Sequence, residues 1–407
     1  MPIDFERVPP RVEVPSVRQP SAVVWIPLLC LAVFIGATVT VLLWKEREPT
    51  NSAWFWLCAV GYPVLGWSFL FISSLAHGHT VHRSALAQNE VSEQAEQACH
   101  VAASRPLAIC GYGWRFSSDD EENSLQSILN GKVRSELRPS AAFPGKDVHA
   151  RWIELPGEPF YPGNELGEYT RQLAVCDWLI ARLLDDVSGS LTNLPTQHFL
   201  HVHLSLHSRI NPEPVVEQLR RALKARRVPS LLRIEFEERL SIFATDDWLD
   251  REDAKTSHLV IAIQLRDAIS EMLDDAAAEV GTALLLSDPR SKGVNAGALR
   301  LHRPASGKVQ KVIEQSTRWG KAESNNLDTV WIQGSPTDDL GRVRGAANLD
   351  ETIPWQQIEA SVGDCSDAGA WLAVALATAN ADSTSSPQLV LNVQGDELTA
   401  LVCRKET

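Results

Sequence analysis

Two long apolar runs near the N-terminus constrain this chain more than any other feature. Residues 22–44 and 53–76 contain no charged side chain over 23 and 24 positions, and about 20 apolar residues suffice for a helix to cross a bilayer. A cleaved signal peptide has a single, shorter apolar stretch. The sequence therefore predicts two transmembrane helices, with a buried helical hairpin of a soluble protein as the alternative. Aromatic residues lie near the ends of the runs, as expected at a membrane surface: Trp25, Trp44, Trp54, Phe55 and Trp56.

The basic residues around these runs predict an orientation and a domain layout. Three arginines precede the first run, whereas the turn between the runs carries Lys45 and Arg47. Because basic residues favour the cytoplasmic side, we expect four segments: a cytoplasmic arm (1–21), a transmembrane hairpin (22–76), a helical or partly disordered connector (77–104) and a soluble domain (105–407). The soluble domain is expected in the cytoplasm, anchored to the inner membrane.

Composition excludes several classes of function. The 407 residues include 38 Lys and Arg against 51 Asp and Glu, a formal net charge of −13, which is the wrong sign for binding phosphate backbones. We therefore expect no nucleic-acid partner. The seven cysteines contain no C-x-x-C pair, so neither a disulfide framework nor a cysteine zinc site is predicted.

The soluble part alternates apolar strand-like runs with amphipathic helices, which predicts a layered α/β fold around a central sheet. The predicted strands are 107–110, 199–206, 231–236, 259–265, 282–287, 329–332 and 389–393. The predicted helices are 169–184, 214–226, 354–360 and 368–379. Segments 137–168, with five prolines, and 381–387, rich in Ser and Thr, are predicted to be exposed loops.

Three segments in the C-terminal part, residues 276–288, 331–348 and 358–379, together resemble the β-ketoacyl synthase branch of the thiolase-like fold. Residues 276–288 are similar to the small-residue run and strand that close the first half of that fold. Residues 331–348 are similar to the strand and loop that carry a catalytic His, and residues 358–379 to the segment in which a second catalytic residue precedes a buried helix rich in Ala and Gly. The resemblance implies a thiolase-like domain.

The same resemblance implies a cysteine nucleophile at a helix start and two histidines that stabilise an oxyanion. Here Gln333 stands at the first histidine position and Asp364 at the second, while the segment expected to carry the nucleophile, 243–254, has no cysteine. Cys365 and Ser335 are the residues that could replace the nucleophile, although the carboxylate of Asp364 disfavours a thiolate beside it. The resemblance therefore implies a degenerate active site, with no cofactor.

Three histidines on one predicted strand are the other chemical candidate. His201, His203 and His207 alternate with apolar residues and so share one face. Imidazoles at i and i+2 can bind a metal, which makes His201 and His203 candidate ligands. No supporting carboxylate is evident nearby in the sequence, so a half-exposed strand is favoured and no metal is predicted.

These observations lead to the hypothesis of a non-catalytic, membrane-anchored binding protein. The membrane segment and residues 107–137 resemble the adaptor family of type VI secretion phospholipase effectors, which implies a protein partner such as a secreted lipase or a secretion spike. A homodimer is expected from the thiolase-like resemblance. Two alternatives remain: an acyl-transfer or condensing enzyme with a relocated nucleophile, and a metal-dependent membrane enzyme that uses His201 and His203.

Overall fold

The chain forms two compact units, Asp4–Cys99 and His100–Thr407. The computed structural model describes residues 5–16, 20–45, 49–157, 159–228, 231–251, 253–291, 298–322, 326–334, 337–395 and 397–406.

The N-terminal unit is helical, as the apolar runs predict. After a 3₁₀ turn (Phe5–Arg7) it contains α1 (Ala22–Leu43), α2 (Ala53–Trp56), a π-helical turn (Leu57–Gly61) and most of α3 (Tyr62–Ala103). Two helices, Ala22–Leu43 and Ala53–Ala103, are long and apolar enough to cross a membrane. Only 0% and 6% of their respective apolar stretches are buried inside the protein. Core helices of a soluble protein would be mostly buried, so the alternative of a soluble hairpin does not fit. The compartment and the orientation stay predictions.

Small residues let the apolar helices approach closely. Gly36 of α1 packs against Pro63 of α3 so closely that a Cβ at this position would overlap the proline ring. The Trp67 indole donates a hydrogen bond to the carbonyl oxygen of Trp25 at 3.0 Å. Close contact at a small residue is typical of helix pairs in membranes. The helix α3 continues to Ala103, so the predicted connector is helical.

The second unit contains eight helices and thirteen strands among the described residues. The strands are β1 (Leu107–Arg115), β2 (Leu137–Pro139), β3 (Asp147–His149), β4 (Phe199–His207), β5 (Leu231–Phe236), β6 (Thr256–Gln264), β7 (Val280–Ser287), β8 (Leu299–Leu301), β9 (Ala305–Gly307), β10 (Thr329–Gln333), β11 (Trp355–Gln357), β12 (Gln388–Gln394) and β13 (Glu397–Lys405). The helices are α4 (Leu125–Leu129), α5 (Glu165–Thr192), α6 (Pro212–Ala225), α7 (Ala244–Arg251), α8 (Val309–Trp319), α9 (Thr337–Ala347), α10 (Ile358–Ser361) and α11 (Ser366–Thr384).

One large mixed sheet is built from two halves with the same topology. The first half has the order β5-β4-β6-β7-β1 and the second the order β11-β10-β12-β13-β8. In both halves the first three strands of this order are parallel to one another and the next is antiparallel to them. Strand β1 pairs with β8 and so joins the halves. This duplicated arrangement is similar to thiolase-like folds, and the predicted fold class is confirmed.

Strand alternation determines which side chains reach the centre of the domain. Leu259 and Ile261 of β6 belong to the core that contains α5 and α6. Val260 and Ala262 belong to the other core, which contains α7 and α11. Because His258 has the parity of Val260, its side chain lies on the α7 side of the sheet.

The helix α11 is the central helix of the second half. All of its residues from Ala368 to Ala381 are buried, and most are small. Small side chains allow close packing on both sides: a Cβ on Gly369 would lie 2.9 Å from Cγ of Gln333. The small residues at the start of α11 therefore allow the end of β10 to pack directly against this helix.

Two local predictions are wrong. Residues 354–360 do not form one helix, because Trp355–Gln357 pairs in parallel with β10 as strand β11 and only α10 follows it. Residues 381–387 are not an exposed loop throughout, because α11 continues to Thr384 and ends at Ser385, whose φ of 59° is left-handed. The segment 137–168 contains the β2–β3 hairpin and the first turn of α5.

Candidate functional site

The start of α7 is where the resemblance places a nucleophile, and no thiol lies there. Residues 241–245, all within the described part of the chain, read Ser-Ile-Phe-Ala-Thr. The hydroxyl of Ser241 accepts a hydrogen bond from the N–H of Phe243 at 3.1 Å, and Thr245 donates to the carbonyl oxygen of Ile242 at 2.8 Å. These side chains satisfy the helix start and are local in role.

The second half brings the predicted positions Gln333 and Asp364 to the start of α11. The Gln333 amide donates to the carbonyl oxygen of Ser366 at 3.1 Å. The Asp364 carboxylate accepts the N–H of Ser366 at 2.8 Å, and Arg266 donates to the Asp364 carbonyl oxygen at 2.9 Å. An amide and a carboxylate therefore converge where the resemblance implies two imidazoles.

Cys365, the candidate replacement nucleophile, lies beneath this surface. Its side chain is 1% exposed, and its thiol lies 3.4 Å from the carbonyl oxygen of Gly363. Burial, with the charges of Asp364 and Glu359 adding to it, raises the pKa of Cys365 well above its ordinary value. A reactive thiolate is therefore disfavoured. The other candidate, Ser335, lies outside the described residues.

Glu359 is a site residue that sequence reasoning missed. It lies on α10, and its Oε1 accepts a hydrogen bond from the N–H of Gly334. Its Oε2 is enclosed and has no hydrogen-bond partner among the residues that the structure describes. Burial, with Asp364 adding to it, raises the pKa of Glu359 from 4.5 to about 7. A carboxyl group that titrates near neutrality can take up and release a proton under physiological conditions.

A cleft of about 390 Å³ opens at the first turn of α11. Asp367 lines it, and the guanidinium of Arg239 lies 3.5 Å from this carboxylate. Asn392, at the end of β12, is 2% exposed, and its Oδ1 has no partner among the described residues. The wall is completed by Leu240, Ser241, Ile242, Ala370, Gln394 and Gly395.

A second cluster forms on the other end of the first half of the sheet. Register pairs His201 of β4 directly with His258 of β6, and His203 follows on the same face of β4. Nε2 of His203 lies 3.0 Å from Nδ1 of His258. Each of the three rings contributes one nitrogen atom, and these three nitrogens all lie within 4.8 Å of one another. Three imidazoles in this arrangement could hold a metal ion.

Carboxylates support two of these rings, contrary to the sequence-based interpretation. Nε2 of His201 lies 2.9 Å from Oε2 of Glu235, and Nδ1 of His203 lies 2.6 Å from Oε1 of Glu237. Both glutamates lie on or just after β5, which pairs in parallel with β4. They are 34 residues from their histidines in the chain, so spacing alone gives no signal of the contact.

The rings are enclosed on the helix side by Trp248 of α7. Its ring centroid lies 4.4 Å from that of His258 and 4.6 Å from that of His203. Burial, with the neighbouring imidazoles adding to it, lowers the pKa of His203 and of His258 to about 3, so both rings are neutral. His207, the third histidine of the predicted face, lies apart from the cluster, with Nε2 3.4 Å from Asp367.

No protein-family model matches this sequence, and no curated protein is significantly similar to it. Solved structures are similar in fold. An ishigamide ketosynthase/chain length factor is 15% identical, with a TM-score of 0.49 over 74% of this chain and 100% of its own. The 3-oxoacyl-(acyl-carrier-protein) synthase III from Aquifex aeolicus VF5 is 10% identical, with a TM-score of 0.44 over 73% and 99%. The acyltransferase ChlB3 is 12% identical, with a TM-score of 0.46 over 74% and 98%.

These comparisons overturn the predicted adaptor function. The similar structures carry the names of ketosynthase, synthase and acyltransferase proteins, and none of the three is described as an effector adaptor. The hypothesis of a non-catalytic adaptor for a type VI secretion effector is therefore wrong. At these identities the likeness concerns the fold alone. The chemistry of this chain has to be argued from its own residues.

Proposed function

We propose that the soluble domain is an acyl-transferring enzyme that moves an acyl group from a thioester directly to an acceptor, with Glu359 as general base. The thioester is the substrate class implied by the resemblance of the C-terminal segments. The observation that carries the proposal is the state of Glu359: a largely buried carboxyl group with a pKa of about 7, oriented by the N–H of Gly334 and with its second oxygen unpaired among the described residues.

Direct transfer is favoured over a covalent acyl-enzyme because this chain offers no activated thiol at the site. The start of α7 carries Phe243 and Ala244 at the nucleophile position. Cys365 is buried, and its neighbouring carboxylates oppose ionisation. A general base avoids this requirement, since the acceptor itself supplies the nucleophile.

The proposed step balances with Glu359 alone as the proton carrier. The carboxylate takes the proton of an acceptor hydroxyl, amine or thiol while the acceptor atom bonds to the acyl carbon. The C–S bond then breaks, and the proton passes from Glu359 to the departing thiolate. The positive end of α11, a helix of 19 residues, lies at this surface and favours the negative charge that develops on the acyl oxygen.

The test uses the full-length chain in detergent with a panel of acyl-coenzyme A thioesters and small hydroxyl, amine and thiol acceptors. Release of free coenzyme A is the readout. Loss of a general base typically lowers the rate by about 10²–10⁴-fold, so Glu359→Gln is expected to lower kcat by at least about 100-fold. The matched control is Glu351→Gln, an exposed glutamate in the segment before β11, which is expected to keep the rate.

Cys365→Ala separates the two acyl-transfer routes. This variant is expected to retain activity, because the buried thiol takes no part in direct transfer. An acyl group found on Cys365 by mass spectrometry, together with loss of activity in Cys365→Ala, would instead establish the route with a relocated nucleophile. Equal rates for wild type and Glu359→Gln would reject the proposed role of Glu359.

A further inference from the structure

Three imidazoles from neighbouring strands converge at a place that the proposed acyl transfer does not use. His201 and His203 lie two residues apart on β4, and His258 is the register partner of His201 on β6. Their ring centroids are 4.1 to 5.9 Å apart. His203 and His258 are 4% and 8% exposed. Buried polar rings require hydrogen-bond partners. Each of these rings has one, either another ring of the cluster or the carboxylate of Glu235 or Glu237.

We propose that His201, His203 and His258 bind one divalent transition-metal ion of the Zn²⁺ type. The inference is independent of acyl transfer at Glu359. Zn²⁺ binds imidazole nitrogen at about 2.0–2.1 Å, which for tetrahedral angles separates two ligand nitrogens by about 3.3–3.4 Å. Nε2 of His203 and Nδ1 of His258 are already 3.0 Å apart, so these two rings reach the required separation with a small rotation.

The carboxylates behind the rings set which nitrogens face the ion. When Nδ1–H of His203 donates to Glu237, Nε2 keeps its lone pair and is directed at His258. When Nε2–H of His201 donates to Glu235, Nδ1 keeps its lone pair. Metal-binding histidines almost always donate their second N–H to a carboxylate or carbonyl group, which fixes the tautomer and strengthens the ligand.

The charges around the cluster are compatible with a bound cation. Arg233 and Arg251 lie near enough to act on His203 electrostatically. Glu235 and Glu237 contact the rings themselves, and Arg233 is paired with Glu235 at 3.4 Å. The negative charges of Glu235 and Glu237 thus offset the positive charges of Arg233 and Arg251. Three neutral nitrogen donors, without thiolate, favour Zn²⁺, Co²⁺, Ni²⁺ or Cu²⁺ over Mg²⁺ or Ca²⁺.

A cavity of about 350 Å³ adjoins the cluster and gives access to it. His258 and Trp248 line this cavity together with Asp253, Thr256 and Asp288. A site with three protein nitrogens has a fourth position available for water or a small ligand, and His258 places that position beside the cavity. The Trp248 ring stacks on His258 with an interplanar angle of 8°, which holds the imidazole in place.

The experiment measures metal content and affinity in the full-length chain, purified in detergent with a tag that contains no histidine. After chelation and dialysis, the protein is titrated with Co²⁺ and with Zn²⁺. We expect one ion per chain, visible bands of a low-coordinate Co²⁺ site, and a rise in Tm on binding. Variants His203→Gln and His258→Gln are expected to lower affinity at least about 100-fold, and Glu237→Gln about 10–100-fold.

The control is His207→Gln, because this histidine lies on the same face of the same strand and outside the cluster. It is expected to keep full affinity. Substoichiometric metal in the wild type, or equal affinity in the wild type and the correctly folded His201→Gln variant, would overturn the inference. Glu359→Gln is expected to bind metal normally, so a failure of acyl transfer and a failure of metal binding are distinguishable.

Discussion

Replacing Glu359 by Gln should make the protein more stable while removing the proposed activity. Burial raises the pKa of this carboxyl group from 4.5 to about 7. A group with a higher pKa in the folded state binds its proton more tightly there, so stability falls as pH rises from 4.5 to about 7. At about 1.36 kcal/mol for each pH unit, the ionised carboxylate destabilises the fold by about 3 kcal/mol above pH 7. Gln is neutral and can still accept the Gly334 N–H, so the variant avoids this cost.

The assay is urea denaturation of the full-length chain followed by circular dichroism at two pH values. At about pH 8 the free energy of unfolding of Glu359→Gln should exceed that of the wild type by about 3 kcal/mol, and at about pH 4.5 the difference should vanish. Glu351→Gln, which replaces an exposed carboxylate, should show no such dependence. If the variant is no more stable than the wild type at about pH 8, or is more stable by the same amount at both pH values, the argument that burial raises the pKa of Glu359 is refuted.

Two further substitutions test the framework that holds the site. Arg171→Met removes the cation between Glu168 and Glu279, and all three side chains are 0% exposed. We expect the free energy of unfolding, measured by urea denaturation, to fall by about 3–5 kcal/mol. A decrease below about 1 kcal/mol would contradict this. Gly363→Ala adds a Cβ 2.7 Å from a backbone carbonyl oxygen at a φ of 117° and should cost about 1–3 kcal/mol. Gly345→Ala, with nothing within 4 Å of its Cβ, should not lower Tm.

The layered α/β fold class was predictable because several elements of the domain keep a clear local pattern. The small-residue helix α11 and the apolar strands β7, β10 and β12 are recognisable from composition alone, and the predicted strand 231–236 agrees with β5 at both ends. In contrast, Trp355 and its two neighbours look helical in isolation and become strand β11 through pairing with β10. Such tertiary pairing overrides local propensity.

The chemistry was less predictable, because it depends on contacts between distant segments. Glu359 is one of many glutamates in the sequence, and its pKa is raised only by burial in the fold, with the charge of Asp364 adding to it, while the hydrogen bond from the N–H of Gly334 opposes this rise. Likewise, His201 and His203 are visible as a strand pattern, but His258 joins them through sheet register. A single sequence gives the faces of strands, and it does not give the order in which the strands pair.

The two halves of the domain share one topology but differ in their central helices, and this difference accounts for where the two candidate sites lie. The helix α11 has 19 residues and is buried along most of its length, so it covers the sheet of the second half. The candidate polar residues of this half therefore lie only at the start of the helix. The equivalent α7 has 8 residues and carries four acidic or basic side chains. A helix this short spans about 12 Å, and Trp248 is the residue by which it covers the histidines of β4 and β6. The histidine cluster therefore lies beneath the short helix of the first half, whereas Gln333 and Asp364 lie at the start of the long helix of the second half.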